Sequence, residues 1–243
     1  LRYMQTRCAP AATVFWLAAC GAVLLLTQSA TVALSTVGCF LVIVGLVVQR
    51  RVPVRWRLRV IGAFTAVGIA AAVGAFFARH MIADAFGRSP DMSGRSIIWR
   101  RAAALIAEHP IGGWGWFIGW PTSIEPFSSL VIRNDGTATN QAHNVYVEAA
   151  LTTGFVGAAI ITGAIVWTLF RVVKVAVAHI DDNLWDVIPA VLMIAMFIQS
   201  FTESRLLFEG NWMLFVVIAT WVKVRGEVPL VWPSAARQHL EYS

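Results

Sequence analysis

The stretch QAHNVYVEAALTTGFVG, residues 141–157, decides how the chain folds, because a long polar segment stops here and an apolar run begins. A helix needs about 20 apolar residues to cross a bilayer, and this run continues from residue 143 to about residue 170. His143, Asn144 and Glu148 lie on the first two turns of the predicted helix. Three hydrogen-bonding side chains, one of them acidic, require an explanation at the start of a lipid-bound helix.

The composition of the whole chain indicates a membrane protein. Of its 243 residues, 58% are hydrophobic and 13% are charged, whereas an average soluble domain has about a quarter of charged residues. The net charge of +6 is explained by loops that face the cytoplasm and anionic lipid. We therefore predict an all-α polytopic membrane protein with no nucleic-acid partner. The chain begins with Leu1 rather than Met, which suggests the C-terminal piece of a longer protein.

Apolar runs predict about six transmembrane helices. They cover residues 11–28, 30–48, 60–78, 143–170, 187–202 and 206–223, and the last two are short. Basic residues fill the loop 49–59 and flank the first, fourth and sixth runs, which places all of them on the cytoplasmic side. The prediction is three helices in residues 1–78, three in residues 143–226 and a cytoplasmic tail at 227–243. A re-entrant hairpin is an alternative for the end, because Glu209 lies within the sixth run.

Residues 79–142 form a large extracytoplasmic loop in this topology, and a loop of such length usually has a function. The segment 93–109 predicts an amphipathic helix that could lie flat on the outer membrane surface. Its apolar residues recur at helical spacing, namely Ile98, Ala102, Leu105 and Ile106. Pro110 ends this helix, and the glycines of IGGWGWFIGWP prevent regular structure after it.

The polar residues of the opening stretch are the first candidates for chemistry. A lone histidine there would simply cap the helix and bond to lipid headgroups, but Asn144 adjoins His143, and Glu148 follows one turn after Asn144. A carboxylate at this depth costs about 2–3 kcal/mol and normally faces a polar cavity; snorkelling to the headgroups is the alternative. Gly154 and Gly157 form a small-residue face that favours close helix packing and would fix the direction of His143.

Arginine and tryptophan side chains are numerous on the predicted outer side. Each arginine is explained by contact with lipid phosphates, but several together would bind a pyrophosphate through bidentate bonds; they are Arg88, Arg95, Arg100 and Arg205. Each tryptophan is explained by anchoring at the interface, with stacking on sugar rings as the alternative; they are Trp99, Trp114, Trp116 and Trp120. No metal site is predicted, because His80 and Asp84 lack an HExxH motif or an aspartate cluster beside them.

Three segments together resemble the bacterial O-antigen ligase and polymerase family. The family has His-Asn, nine residues and Gly-x-x-Gly, which are matched by His143, Asn144, Gly154 and Gly157. GRSIIWRRAAALIAEHPIGGWGW looks like a second family segment, matched by Gly94, Arg95, Trp99, His109, Pro110, Gly113 and Gly115. FTESRLLFEGNWMLF resembles the closing Glu-Ser helix pair of the family. The similarity covers residues 23–223, and the three segments in this order on one topology make it specific.

The resemblance implies a GT-C-like glycosyltransferase on the outer face of the cytoplasmic membrane that uses neither a metal nor another cofactor. Such enzymes transfer a glycan from undecaprenyl diphosphate to a hydroxyl of a glycan or lipid acceptor, typically with inversion. We expect His143 to be the general base, and Asn144 or Glu148 to orient its imidazole. The departing pyrophosphate would be stabilised by arginines, namely Arg95 with Arg88, Arg205 or Arg100.

Two departures from the family pattern and two other functions stay open. Ala30 follows Ser29 where the family commonly has a Ser-Arg pair, so one phosphate contact is absent or supplied elsewhere. Family members also usually have several more N-terminal helices. Ligase and polymerase are not distinguished, although the composition favours exopolysaccharide polymerisation slightly. A transporter or flippase for a lipid-linked or anionic substrate is the alternative from another class, and a non-catalytic scaffold would leave Glu148 unexplained.

Overall fold

The computed structural model describes residues 10–27, 30–49, 51–77, 95–117, 119–121, 123–128, 130, 139–179 and 184–227. All regular elements within these ranges are helical, which confirms the all-α prediction for them. The helices are α1 (Pro10–Thr27), α2 (Ala30–Gln49), α3 (Val54–Phe77), α4 (Arg95–Glu108), α5 (Val145–His179), α6 (Val187–Ser200) and α7 (Glu209–Glu227), with 3₁₀ turns at Leu184–Asp186 and Arg205–Leu207.

The helix bounds follow the predicted runs with three differences. The helix α3 begins at Val54, within the predicted loop 49–59, and α5 continues to His179 instead of ending near residue 170. The helix α7 is displaced along the chain from the predicted 206–223, because it begins at Glu209 and ends at Glu227. In the described part of the chain, α5 is the one helix that is both long and apolar enough to cross a membrane. Shorter apolar stretches lie at Val14–Leu24, Ser35–Gly45 and Val187–Ser200. The number of six spans and their orientation therefore stay predictions.

The main core lies between α5, α6 and α7, and α2 packs on the other side of α6. Its most buried side chains include Ile165 and Val172 of α5 and Met193 of α6. Leu206 and Leu207, in the 3₁₀ turn between α6 and α7, belong to the same cluster as Val145 at the start of α5. This packing brings the α6–α7 connection against the first turn of α5.

The helix α4 has the buried face that its periodicity predicts. Its buried residues are Ile98, Ala102, Leu105 and Ile106. This face packs against Leu151 of α5 and against Trp120 and Phe127 of the segment that follows α4. This apolar face is therefore covered by protein, and the placement of α4 flat on the outer membrane surface stays a prediction.

The helix α5 is interrupted at Gly154, whose φ and ψ of 66° and −175° are not helical. A break leaves carbonyls and an amide without partners in the helix, and the segment after α4 supplies the partners. Trp114 N donates to Leu151 O and Gly115 N to Thr152 O, both at 2.9 Å, while Phe155 N donates to Pro110 O at 2.7 Å. The segment 110–115 therefore clamps α5 at the break.

Two glycines make this close approach of two backbones feasible. A Cβ on Gly154 would lie 2.1 Å from Ile111 O, and a Cβ on Gly113 would lie 2.5 Å from Gly154 N. Both residues also have positive φ, 66° and 68°, where side chains are disfavoured. Gly154 thus packs against a loop. At Gly157 the nearest atoms belong to the Thr153 side chain of the same helix. The close approach at Gly154 is therefore to a loop and not to another helix, and helix–helix packing at Gly157 stays a prediction.

Candidate active site

The first residues of α4, the residues that precede α5 and the α6–α7 connection meet at one end of the helical packing. Here the carboxylate of Glu203 lies between an imidazole and a guanidinium. Its Oε2 is 3.2 Å from His143 Nδ1, and its Oε1 is 3.3 Å from Arg95 Nη2. The three side chains are 18% to 27% exposed. They are therefore held by their neighbours and are still open to a substrate.

The backbone of His143 has an uncommon conformation for a residue other than glycine, with φ of 52°. The next residue, Asn144, caps α5: its Oδ1 accepts hydrogen bonds from Tyr146 N at 2.9 Å and Val147 N at 3.1 Å. The amide of Asn144 also donates to Phe201 O at 3.1 Å. Strained residues of this kind persist only where the surroundings fix them, and they cluster at functional sites.

Glu148 is almost completely buried, and three donors surround its carboxylate. Trp120 Nε1 donates to Oε1 at 2.8 Å, and Ala142 N and Ser204 Oγ donate to Oε2 at 2.6 and 3.1 Å. A buried carboxylate requires such partners. Glu148 therefore joins the segment before His143 to the residue after Glu203, and it neither faces an open cavity nor reaches towards headgroups.

The partner of the imidazole differs from the prediction. Asn144 uses its side chain for the helix cap and Glu148 uses its carboxylate for the buried network, whereas Glu203 contacts His143. Glu203 was missed as a site residue. Its signal in the sequence was an acid in a connection predicted to be on the outer side, within the segment FTESRLLFEGNWMLF.

The other arginines predicted to bind phosphate differ in their exposure and in their position relative to Arg95. Arg205 is exposed, its side chain makes no ion pair or hydrogen bond with the described residues, and it lines an open pocket of about 260 Å³ with Gly119, Asn140, Gln141 and Phe208. Arg100 is also exposed, but it lies about 140° around the axis of α4 from Arg95, since each residue turns a helix by about 100°. Arg88 lies outside the described residues.

Three of the four tryptophans considered for sugar stacking use their indole N–H for structure, and one of them is Trp120, which donates to Glu148. Trp99 Nε1 donates to Ala142 O at 2.8 Å, and Trp114 Nε1 donates to Leu105 O at 2.9 Å. Trp116 is exposed and has no hydrogen-bond partner among the described residues. Trp116 is thus the most exposed of this group, and its indole N–H is not used within the described residues.

Metal-binding side chains do not cluster in the part of the chain that the structure describes. No group of three or more His, Cys, Asp or Glu side chains is arranged to hold an ion among those residues. His80 and Asp84, with the spacing noted above, lie outside the described ranges.

Comparisons with known proteins agree with the resemblance. The profile of the O-antigen ligase family matches residues 13–162, which is more than half of the chain, and the chain belongs to this family of inner-membrane proteins. The match includes Arg95 and His143 and ends before Glu203.

The chain is also similar to the exopolysaccharide production protein ExoQ of Rhizobium meliloti (strain 1021), with 26% identity over 227 residues. The aligned region covers 87% of this chain and 50% of that protein, so the chain spans about half of its length. No solved structure matches the chain significantly.

Proposed function

We propose that this member of the O-antigen ligase family transfers a glycan from an undecaprenyl-diphosphate-linked donor to an acceptor hydroxyl on the outer face of the cytoplasmic membrane. The observation that supports this most is the imidazole of His143, partly exposed and held beside the guanidinium of Arg95 through Glu203. Glycan transfer needs a base for the attacking hydroxyl and positive charge for the leaving diphosphate. The site offers both within one cluster.

The acceptor hydroxyl oxygen attacks the anomeric carbon of the donor sugar from the face opposite the diphosphate. As the new carbon–oxygen bond forms, the bond from the anomeric carbon to the phosphate oxygen breaks, and the diphosphate leaves with the electron pair. The hydroxyl proton passes to Nε2 of His143, since Nδ1 faces Glu203. The product linkage has the inverted configuration, and the lipid diphosphate is the second product.

The leaving group binds to guanidiniums without the need for a metal ion. Arg95 is the first of them, and Arg205 contributes a charge that no described residue neutralises. Arg100 and Arg88 are further candidates. Bidentate bonds from arginine to phosphate are directional and charge-assisted, and the N-terminal end of α5 adds a favourable potential for an anion. Trp116 is the candidate for stacking on a sugar ring.

The test is transfer by the full-length protein reconstituted in liposomes with an undecaprenyl-diphosphate oligosaccharide, with and without a separate glycan or lipid acceptor. A ladder of products without the acceptor identifies a polymerase, and a single product that requires the acceptor identifies a ligase. Either result supports the proposal. If the lipid moves between leaflets and no product forms, the proposal is wrong and the protein is a transporter.

A further inference from the structure

The two carboxylate oxygens of Glu203 have different partners. Oε2 faces His143 Nδ1 at 3.2 Å, and Oε1 faces Arg95 Nη2 at 3.3 Å. An ionised carboxylate only accepts hydrogen bonds, so the imidazole nitrogen that faces it carries a proton. The lone pair of the neutral ring is then on Nε2, the nitrogen that the proposed reaction requires as a base.

The backbone of Glu203 is fixed relative to His143 by the residues that follow both of them. Asn144 N donates to Ser204 Oγ at 3.1 Å, and Ser204 Oγ donates to the buried Glu148 at 3.1 Å. Glu203 N itself donates to Gln199 O at 2.8 Å at the end of α6. The carboxylate is therefore brought to the imidazole by a rigid connection rather than by a flexible loop.

We infer that Glu203 is a positioning residue of the transfer reaction, which fixes the tautomer of His143 and holds the base and Arg95 at a set distance from each other. The expected effect on kcat rests on the proposed function. The expected tautomer of His143 does not, because it follows from the contacts of the three side chains.

Arg95 makes a sharp test feasible, because a guanidinium only donates hydrogen bonds. In Glu203→Gln, the amide oxygen would turn to Arg95 and the amide NH₂ would turn to His143. His143 Nδ1 would then have to accept a hydrogen bond, so the proton would move to Nε2 and the base would lose its lone pair. An isosteric acid-to-amide change of this kind acts through the tautomer while the geometry stays intact.

The kinetic experiment compares the wild-type full-length protein with Glu203→Gln and Glu203→Asp in the reconstituted transfer assay. We expect Glu203→Gln to lower kcat by about 10²–10⁴-fold, the usual contribution of a general base, with little change in the KM for the donor because Arg95 keeps an acceptor. Glu203→Asp keeps the charge and the tautomer, so its kcat should lie between the two. The matched control is Glu108→Gln, since the Glu108 side chain is exposed and has no hydrogen bond or ion pair with the described residues.

The spectroscopic experiment is nitrogen NMR of isotope-labelled histidine in micelles, at a pH where the imidazole is neutral. The His143 signal is assigned by its loss in His143→Asn. The wild type should carry the proton on Nδ1 and Glu203→Gln on Nε2. The double variant Arg95→Met with Glu203→Gln should return it to Nδ1, because the amide is then free to turn its oxygen to the ring.

The outcomes separate the inference from the proposed function. If the wild type and Glu203→Gln transfer glycan with the same kcat, the inference is wrong and the proposed function stands. The inference is also wrong if the His143 tautomer is the same in the wild type, in Glu203→Gln and in the double variant. A wild type that transfers nothing overturns the proposed function, and the NMR experiment still decides the tautomer. If Glu203→Gln does not fold, Glu203→Asp decides: a KM increase without a fall in kcat contradicts a role in positioning the base.

Discussion

The two ends of α5 each carry a cluster of a histidine, an acid and an arginine. The start cluster consists of His143, Glu203 and Arg95, and the end cluster consists of His179, Asp186 and Arg225. In the end cluster, Arg225 Nη2 is 3.0 Å and His179 Nδ1 is 3.6 Å from one oxygen of Asp186. A histidine, an acid and an arginine in contact are therefore not sufficient to mark an active site.

The clusters differ in how the histidine is held and in how far the acid is buried. His179 is the last residue of α5, and its Nδ1 lies 3.1 Å from Val175 O of the preceding turn. Histidine commonly satisfies helix carbonyls in this position. Asp186 is only 6% exposed, whereas Glu203 is 24% exposed. The end cluster thus stabilises a helix terminus, while the start cluster holds a strained histidine beside a carboxylate that is partly open to solvent.

The largest expected difference between the clusters is in the histidines. We expect His143→Ala to lower the transfer rate by about 10²–10⁴-fold, because the general base is lost. His179→Ala should leave the rate per folded protein within about twofold, since its contacts are to its own helix and to Asp186 and the expected cost is in stability. Initial rates at equal protein concentration measure both. Equal losses in the two variants would remove the distinction between the clusters.

The second expected effect concerns the break at Gly154, which lies in the half of α5 that begins at the start cluster. Gly154→Ala places a Cβ 2.1 Å from Ile111 O at a φ that only glycine adopts readily. We expect a loss of about 2–6 kcal/mol from backbone strain and overpacking together. The measurement is thermal unfolding in detergent, with Gly163→Ala as the control because its Cβ would meet no atom within 4 Å. A Gly154→Ala protein as stable as this control would contradict the clamp.

The arginines give the third difference. Arg95→Met should lower kcat/KM for the donor by about 10–10²-fold, less than the 10²–10³-fold of an enclosed oxyanion donor, because the guanidinium is 27% exposed and other arginines are available. Arg225→Met should not change the affinity for the donor, since Arg225 binds Asp186 through both Nε and Nη2. Donor titrations at fixed acceptor concentration provide the measurement. If kcat/KM for the donor falls in Arg225→Met and is unchanged in Arg95→Met, the assignment of the two clusters is reversed.

Local patterns predicted the parts of the fold that depend on neighbouring residues. The buried face of α4 followed from helical periodicity, because an amphipathic helix shows its inner side at i, i+3 and i+4. The break at Gly154 could not be foreseen, because it depends on carbonyl and amide partners from the segment 110–115, far earlier in the chain. A glycine in a helical pattern is consistent with both close packing and a break, and only the tertiary structure distinguishes them.

The candidate site was predictable to a similar extent. His143 and Arg95 stand in motifs with recognisable spacing, so they were identified from the sequence. Glu203 was not, because the choice between the acids near His143 depends on which carboxylate reaches the ring in three dimensions. Glu148, which is closer in sequence, is used for the buried contacts of Trp120 and Ser204. Sequence separation thus favoured the wrong acid.

The smallest expected effect comes from Asp186→Asn, the counterpart of Glu203→Gln in the end cluster. The amide keeps the size of Asp186 and loses the charge that faces Arg225. We expect a loss of about 1–2 kcal/mol in stability, because hydrogen bonds to charged groups are worth about 1.5–3 kcal/mol and the 34% exposure of Arg225 weakens the pair through solvent screening. The rate of transfer per folded protein should remain unchanged. Thermal unfolding and initial rates on the same preparation test both statements, and a fall in rate without a fall in stability would show that the end cluster also acts in the reaction.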